Sequence, residues 1–366
     1  MIQDLLTTNS LILGFLIALV SCWVLLPFLI KLSPVIGLVD KPNFRKVHQK
    51  LIPAIGGLTI ALAVTFTALV YAPLRNLLTQ NLPLTIALAT LTITGVLDDR
   101  LNLPAILRLG IQLGCAYLIA SSGIRLTSLH GVFGIMELSV FFQYAITMFV
   151  LTVMANAFNL IDGVDGLAGS LAFSNSFVFS VLAIVVGQQE WLALLLPVAG
   201  ALLAFLRYNW RPAKLFMGDG GSVVLGFLMA ALGIIFIEGS YLQAVAYGPY
   251  AIILTTASCM IPLIDALRVA INRMRKGKSP FAADKNHMHH WFLKHRFVHS
   301  EITLRIVKTH AALTVLSILA SFVFSVTTII FLQIFAVILY TWIIQFSHAF
   351  LKNVRLVKAL ETKFVP

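Results

Sequence analysis

Long runs of apolar residues free of Asp, Glu, Lys and Arg dominate this chain. They extend over Leu5–Ile30, Leu51–Leu74, Asn76–Leu97, Leu109–Ile124, Leu138–Ile161, Gly166–Gln189, Trp191–Leu206, Gly220–Ile237, Gly239–Ile264 and Thr309–Leu351. A helix needs about 20 apolar residues to cross a bilayer. The last run holds 43 residues, too many for one crossing, and divides most naturally near Ser325 to Thr328. The pattern predicts an all-α polytopic membrane protein of about eleven transmembrane helices in a single integral-membrane domain, 1–366. Loops 31–53, 98–108, 156–167, 207–221 and 266–308 and the tail 352–366 are left outside the bilayer on one side. The first run has no basic segment before it and is long enough to remain as a span, so no cleaved leader is expected.

Composition agrees. Of 366 residues, 59% are hydrophobic and 11% charged, against about 25% charged in ordinary soluble domains. The 26 Lys and Arg against 14 Asp and Glu give a formal charge of +12, which in a soluble protein would suggest a nucleic-acid partner. Here 24 of the 26 basic residues follow the odd-numbered spans, leaving Arg75 and Arg125 on the other face. The Lys/Arg bias of short loops marks the cytoplasmic side. The N-terminus is therefore expected outside and the C-terminus in the cytoplasm, and the charge reads as topology rather than nucleic-acid binding. Cys22, Cys115 and Cys259 all fall within spans, as small core residues rather than a disulfide framework.

The acids sort as sharply. Every Asp except Asp4 lies on the predicted cytoplasmic face or at a helix end bordering it. Carboxylates at a membrane boundary are costly unless paired, solvated or metal-bound, and such residues mark function. Asp98 and Asp99 end span 3, Asp162 and Asp165 follow span 5, Asp219 opens span 8 and Asp265 ends span 9. Asp265 stands three residues before Arg268, where an ion pair competes with a catalytic role. Several carboxylates from different helices suit Mg²⁺, which binds one or two of them, keeps waters and bridges to substrate phosphate.

Asn156, Asn159, Asp162 and Asp165 in NAFNLIDGVDGLAGS recur every three residues, a polar stripe if the segment is helical. Its spacing does not fit an EF-hand loop. FMGDGGS, 216–222, places glycines at a helix start, whose N–H groups favour anions; it lacks the Walker lysine. The loop KPNFRKVHQKLIPAIGG carries Lys41, Arg45, Lys46 and His48, suited to a pyrophosphate or a lipid phosphate, or simply to anionic membrane lipids. His287, His289 and His290 in SPFAADKNHMHHWF lack the spaced partners of a zinc site and are read as phosphate or sugar ligands. A transporter would set its carboxylates near the midplane, often within repeats, whereas these crowd one face.

Five motifs in order, VDKPNFRKVHQKLIPAIGG, LDDR, NAFNLIDGVDGLAGS, YNWRPAKLFMGDGGS and SPFAADKNHMHHWF, resemble those of the polyprenyl-phosphate N-acetylhexosamine-1-phosphate transferases, over essentially the whole chain. The resemblance implies a Mg²⁺-dependent enzyme (Mn²⁺ as a substitute) of the bacterial cytoplasmic membrane. It would move a sugar-1-phosphate from a UDP-sugar to undecaprenyl phosphate, releasing UMP, and so start a lipid-linked cell-surface polysaccharide. Asp219 would be the metal ligand, Asp98 and Asp99 would orient or deprotonate the acceptor phosphate, and Asp162 and Asp165 with Asn159 and Asn156 would serve the donor site. Asn209 and Phe216 match positions that hold uridine in the related peptidoglycan enzymes, the ring offering a stacking face. The His cluster and the basic first loop would contact donor phosphates or sugar. LDDRLNLPAILR lacks the extra lysines of the peptidoglycan branch, and HMHH is close to the HIHH of the GlcNAc branch. UDP-GlcNAc is therefore the expected donor, with other UDP-N-acetylhexosamines or UDP-MurNAc-pentapeptide as alternatives. A homodimer through lipid-facing helices is left open.

Overall fold

The computed structural model describes residues 8–40, 51–279 and 286–364, with side chains described up to residue 347. Thirteen helices account for most of the described chain: α1 (Thr8–Ile36), α2 (Gly56–Val70), α3 (Ala72–Gln80), α4 (Leu82–Leu101), α5 (Ala105–Ser121), α6 (Val140–Ile161), α7 (Leu167–Val185), α8 (Leu192–Asn209), α9 (Asp219–Gln243), α10 (Gly248–Arg275), α11 (Met288–Lys294), α12 (His299–Ala320) and α13 (Val326–Phe364). Among the described residues, nine helices are long and apolar enough to cross a membrane, or ten if α2 and α3 count as one. The expected run Leu51–Leu74 is not one straight helix. It breaks at Tyr71, and α2 and α3 meet at 105°, Pro73 standing in the first turn of α3, where proline is tolerated because its missing N–H has no intrahelical partner. The 43-residue run divides at 321–325, just before the expected place.

Packing centres on α9, 89% of whose apolar window is buried against 22% for α1. Helices α2, α4, α6, α7 and α10 surround it. Lipid tails are as apolar as leucine, so helices in a bilayer are held by close backbone approach rather than by hydrophobic exclusion. Glycine provides that approach here. A Cβ on Gly57 of α2 or on Gly95 of α4 would run into the backbone of Gly221 and Gly220 at the start of α9, and one on Gly226 would meet the carbonyl of Met154 in α6. The helix ends carrying the acidic motifs are thereby drawn together.

A short antiparallel ladder, β1 (Val39–Asp40) with β2 (Ile52–Pro53), closes the loop after α1. It continues into the segment before α9: the Phe216 N–H donates to the Pro53 carbonyl at 2.7 Å, and the Gly56 and Gly57 N–H groups donate to the Phe216 and Met217 carbonyls at 2.9 and 2.7 Å. Cys22, Cys115 and Cys259 are buried free thiols. Lys41, Arg45, Lys46 and His48 lie outside the described residues, as does Asp284.

Candidate active site

The carboxylates converge where α4, α6 and α9 meet. Asp98, in the last turn of α4, is buried. Its Oδ2 pairs with Arg108 of α5 and its Oδ1 accepts the Leu103 N–H at 2.7 Å. The same Arg108 Nη1 reaches Asp219 Oδ2 at 3.1 Å, so one guanidinium spans two acids. Asp219 Oδ1 accepts from Asn159 Nδ2 at 2.7 Å, and that amide also donates to Ser222 Oγ at 3.1 Å. Asn156, one turn earlier on α6, donates to Gln112 of α5 at 2.6 Å and to the Thr152 carbonyl at 2.8 Å, bracing the helix pair.

Asp99 points to the start of α9. Its Oδ1 accepts the Asp219 N–H at 3.0 Å and its Oδ2 the Gly220 N–H at 3.3 Å. The glycine-rich start, expected as an anion cradle, already holds the Asp99 carboxyl group, whose oxygens satisfy two of the N–H groups a helix start leaves unpaired. Gly218 takes a φ of +75°, and a Cβ there would lie 2.5 Å from Asp99 Oδ2, so only glycine admits this contact.

The Asn/Asp stripe is helical only in its first half. The α6 helix ends at Ile161, and Asp162 and Asp165 sit in the turn that follows, where Gly166 has a φ of +77°. The two acids consequently face different ways. Asp162, partly buried, makes no hydrogen bond through its carboxylate among the described residues. Burial first, then the charges of Asp219, Asp99 and Asp165, raise its carboxyl well above the ordinary range. Asp165 turns from this group to His299 Nδ1, 3.0 Å from its Oδ1, and to the Ala213 N–H, 3.3 Å from its Oδ2.

Asn209 is buried, with both ends of its amide engaged by backbone. It accepts the Gly166 N–H at 2.8 Å and donates to the Leu215 carbonyl at 2.8 Å, so it staples two loops. Phe216 is partly exposed, as a stacking face must be.

The three histidines divide. His287 is buried, its Nδ1 on Asp265 Oδ2 at 3.0 Å, while Asp265 Oδ1 takes Arg268 at 2.8 Å and the Met288 N–H at 3.0 Å. Asp265 thus makes the ion pair with Arg268 and anchors the histidine segment through His287. His289 lies against the acidic turn, since a Cβ on Gly163 would be 2.7 Å from its Nε2. Burial, then neighbouring His290, lowers its pKa to about 3, leaving a neutral imidazole at physiological pH. His290 is partly exposed, its ring centroid 4.2 Å from that of His289.

Among the described residues no three His, Cys, Asp or Glu side chains form a ready-made metal cage. The donor set fits Mg²⁺ all the same. It is made of hard carboxylate oxygens, with Asp162 facing like charges, and Mg²⁺ ordinarily takes one or two protein carboxylates and completes its shell with water and substrate phosphate.

Arg108, Gln112, Ser222 and His299 were not singled out from the sequence as site residues. Arg108 offered one signal, a charge opening an apolar run ten residues after Asp98.

Known proteins resemble this chain in sequence. The model of glycosyl transferase family 4 matches residues 81–237, the stretch from Asp98 to Asp219 included. Over 325 residues the chain is 30% identical to a probable undecaprenyl-phosphate N-acetylglucosaminyl 1-phosphate transferase of Bacillus subtilis, covering 87% of this chain and 84% of that protein. The chain belongs to glycosyl transferase family 4. Within the family, undecaprenyl-phosphate alpha-N-acetylglucosaminyl 1-phosphate transferases of Yersinia pestis (34% over 299 residues, 79% of this chain and 78% of that one) and Escherichia coli K12 (31% over 301 residues, 80% and 79%) are similar at comparable extent. The family 4 match begins at α4 and ends within α9, so α1 to α3 and α10 to α13, with the histidine segment, lie outside it.

Proposed function

We propose that the protein transfers N-acetylglucosamine-1-phosphate from UDP-GlcNAc to undecaprenyl phosphate. The products are UMP and undecaprenyl-pyrophosphoryl-GlcNAc, the first lipid-linked intermediate of a cell-surface polysaccharide. The observation that carries this reading is the bridging of Asp98 and Asp219 by Arg108, beside Asp99 and Asp162, at the ends of three packed helices. Such a site concentrates opposed charges where two anionic substrates must meet. An oxygen of the lipid phosphate attacks the β-phosphorus of the donor, and the bond from that phosphorus to the UMP oxygen breaks. Catalysis of this kind is mostly positioning and charge stabilisation.

Mg²⁺, held by Asp219, would screen the donor phosphates and stabilise the departing UMP. Asn159 fixes one oxygen of Asp219, and Asp99 fixes the helix start that carries it. Arg108 supplies positive charge between Asp98 and Asp219, within reach of an arriving phosphate. Neutral His289, against Gly163, suits hydrogen bonding to a sugar hydroxyl or acetamido group better than ion pairing with phosphate. The basic loop around Lys41, Arg45, Lys46 and His48 is assigned to the anionic substrates on its composition.

Eleven crossings are the fuller topology we propose, counting the bent α2–α3 pair and the shorter apolar α5 with the nine long helices. The N-terminus would then lie outside, with the acidic cluster on the cytoplasmic face of the bacterial inner membrane. A donor panel tests the reaction. Purified protein with undecaprenyl phosphate and Mg²⁺ is expected to consume UDP-GlcNAc in preference to UDP-MurNAc-pentapeptide; use of the latter alone, or of no UDP-sugar, contradicts it.

A further inference from the structure

Pro262 interrupts the hydrogen-bond ladder of α10. Having no N–H, it cannot donate to the carbonyl of Ser258 four residues earlier, and its ring crowds that oxygen. Within a membrane-spanning bundle a neighbouring group must replace the lost donor, and two helices send one. Asn175 of α7 donates through Nδ2 to the Ser258 carbonyl at 3.2 Å. The imidazole of His310, on α12, lies against the same carbonyl. Its Nε2 is buried without a well-formed hydrogen bond among the described residues, and its Nδ1 is 3.2 Å from Ser174 Oγ. Asn175 and His310 are both 0% exposed. Polar side chains this deep in a membrane bundle are costly and mark function.

The turn of α10 after Pro262 carries Asp265, which holds His287 Nδ1 at 3.0 Å and accepts the Met288 N–H at 3.0 Å. It thereby anchors the segment that lays His289 against Gly163. Packing alone leaves that anchor room to shift: a small cavity lined by Ile161 of α6, Leu171 of α7, Ile306 of α12, and Ile261, Met288 and His289 lies beside Asp265. We infer that Asn175 and His310 are positioning residues, which hold the carbonyl that Pro262 deprives of its donor and so set the course of the second half of α10 and the seat of His289 at the acidic turn. Neither touches substrate, since Ser258 stands two helical turns, about 10 Å, from Asp265. The inference rests on the transferase reading for its kinetic consequence only.

Restoring the donor tests it. Pro262→Ala returns an N–H to the Ser258 carbonyl, so the side chains that stand in for it become dispensable. Asn175→Leu, similar in volume but without the donor, should lower the unfolding temperature of the purified full chain by about 2–4 °C and speed hydrogen–deuterium exchange at 286–291. Made in Pro262→Ala, the same substitution should do neither. His310→Leu should follow the same pattern, and His310→Gln, which keeps a donor, should stay near wild type. No loss beside Pro262, or equal losses with and without it, would overturn the inference whatever the reaction is; so would a failure of Asn175→Leu to fold that Pro262→Ala does not rescue. Wild-type turnover of UDP-GlcNAc is measured next, and its absence indicts the transferase reading alone. Given turnover, Asn175→Leu should lower kcat/KM for UDP-GlcNAc about 10-fold, the cost of a shift of a fraction of an ångström, and leave KM for undecaprenyl phosphate unchanged. In Pro262→Ala it should cost less than about 2-fold. A loss of the same size in both backgrounds, or one that falls on KM for undecaprenyl phosphate, would contradict the assignment.

Discussion

Replacing Gly95 by alanine tests whether backbone contact between α4 and α9 sets the geometry of the site. The added methyl carbon would stand 2.5 Å from Gly220 Cα and 2.6 Å from the Asp219 carbonyl carbon, where ordinary contact begins at 3.4 Å. Both obstacles are backbone, so no side chain can swing aside and the helices must part by about 1 Å. Overpacking of this kind costs about 1–3 kcal/mol. The larger effect is on chemistry, because Asp98 and Asp99 ride on α4 while Asp219 opens α9. Misplacement by about 1 Å is worth about 100-fold in rate. Gly114→Ala in α5 is the control: nothing lies within 4 Å of its added methyl, and alanine favours the helix by about 1 kcal/mol. Turnover and thermal unfolding are measured for both variants. Gly95→Ala is expected to lose about two orders of magnitude in kcat with a modest loss of stability, and Gly114→Ala neither. Wild-type turnover in Gly95→Ala would refute the reasoning.

Three further predictions follow from single contacts. Asp99→Ala leaves two N–H groups of α9 without their acceptor and should lower stability by about 1 kcal/mol, read as a lower unfolding temperature, with Asp99→Asn intermediate; equal stability of all three proteins would remove the capping role. The raised carboxyl of Asp162 means that the folded protein keeps this proton to higher pH than the unfolded chain, so its ionisation erodes stability as pH rises above the ordinary value of 3.8. Metal-free Asp162→Asn should therefore unfold at higher temperature than wild type near pH 7.5 and lose that advantage near pH 4, while turning over more slowly; a lower unfolding temperature at pH 7.5 contradicts the assignment. His289, depressed from 6.5 to about 3, contributes stability that is present above pH 6.5 and lost as the pH falls toward 3. Its replacement by asparagine should leave the shape of the rate profile between pH 5 and 8 unchanged, and loss of an acid limb in that window would show that the imidazole titrates during turnover.

How far the sequence reached depended on the kind of contact. The spans were legible because each apolar run is set by the thickness of a bilayer, and the turn at 321–325 because 43 residues cannot cross once. Asp98 and Asp219 were legible as partners because both sit at span ends on one face. The break at Tyr71 was not, since the run remains apolar through it. Arg108 was counted for topology only: nothing in one sequence tells that a cation ten residues past Asp98 also reaches Asp219 on another helix. The periodicity of Asn156, Asn159, Asp162 and Asp165 suggested one face, yet the helix stops at Ile161 and Asp165 turns to His299. The resemblance implied a donor-site role for Asn209, but not that its amide also joins the Gly166 N–H to the Leu215 carbonyl. In each case the missing information was a contact between elements far apart in the chain.

The central claim is that the Asp219 cluster performs metal-dependent phosphoryl transfer. Its most direct measurement is UMP release from labelled UDP-GlcNAc by the purified protein with undecaprenyl phosphate, with and without Mg²⁺, for wild type and Asp219→Ala. The account predicts UMP and lipid-linked sugar in equal amounts, release abolished by chelation and restored by Mg²⁺, and none above background from a folded Asp219→Ala protein. Metal-independent release, or wild-type release from Asp219→Ala, would contradict it.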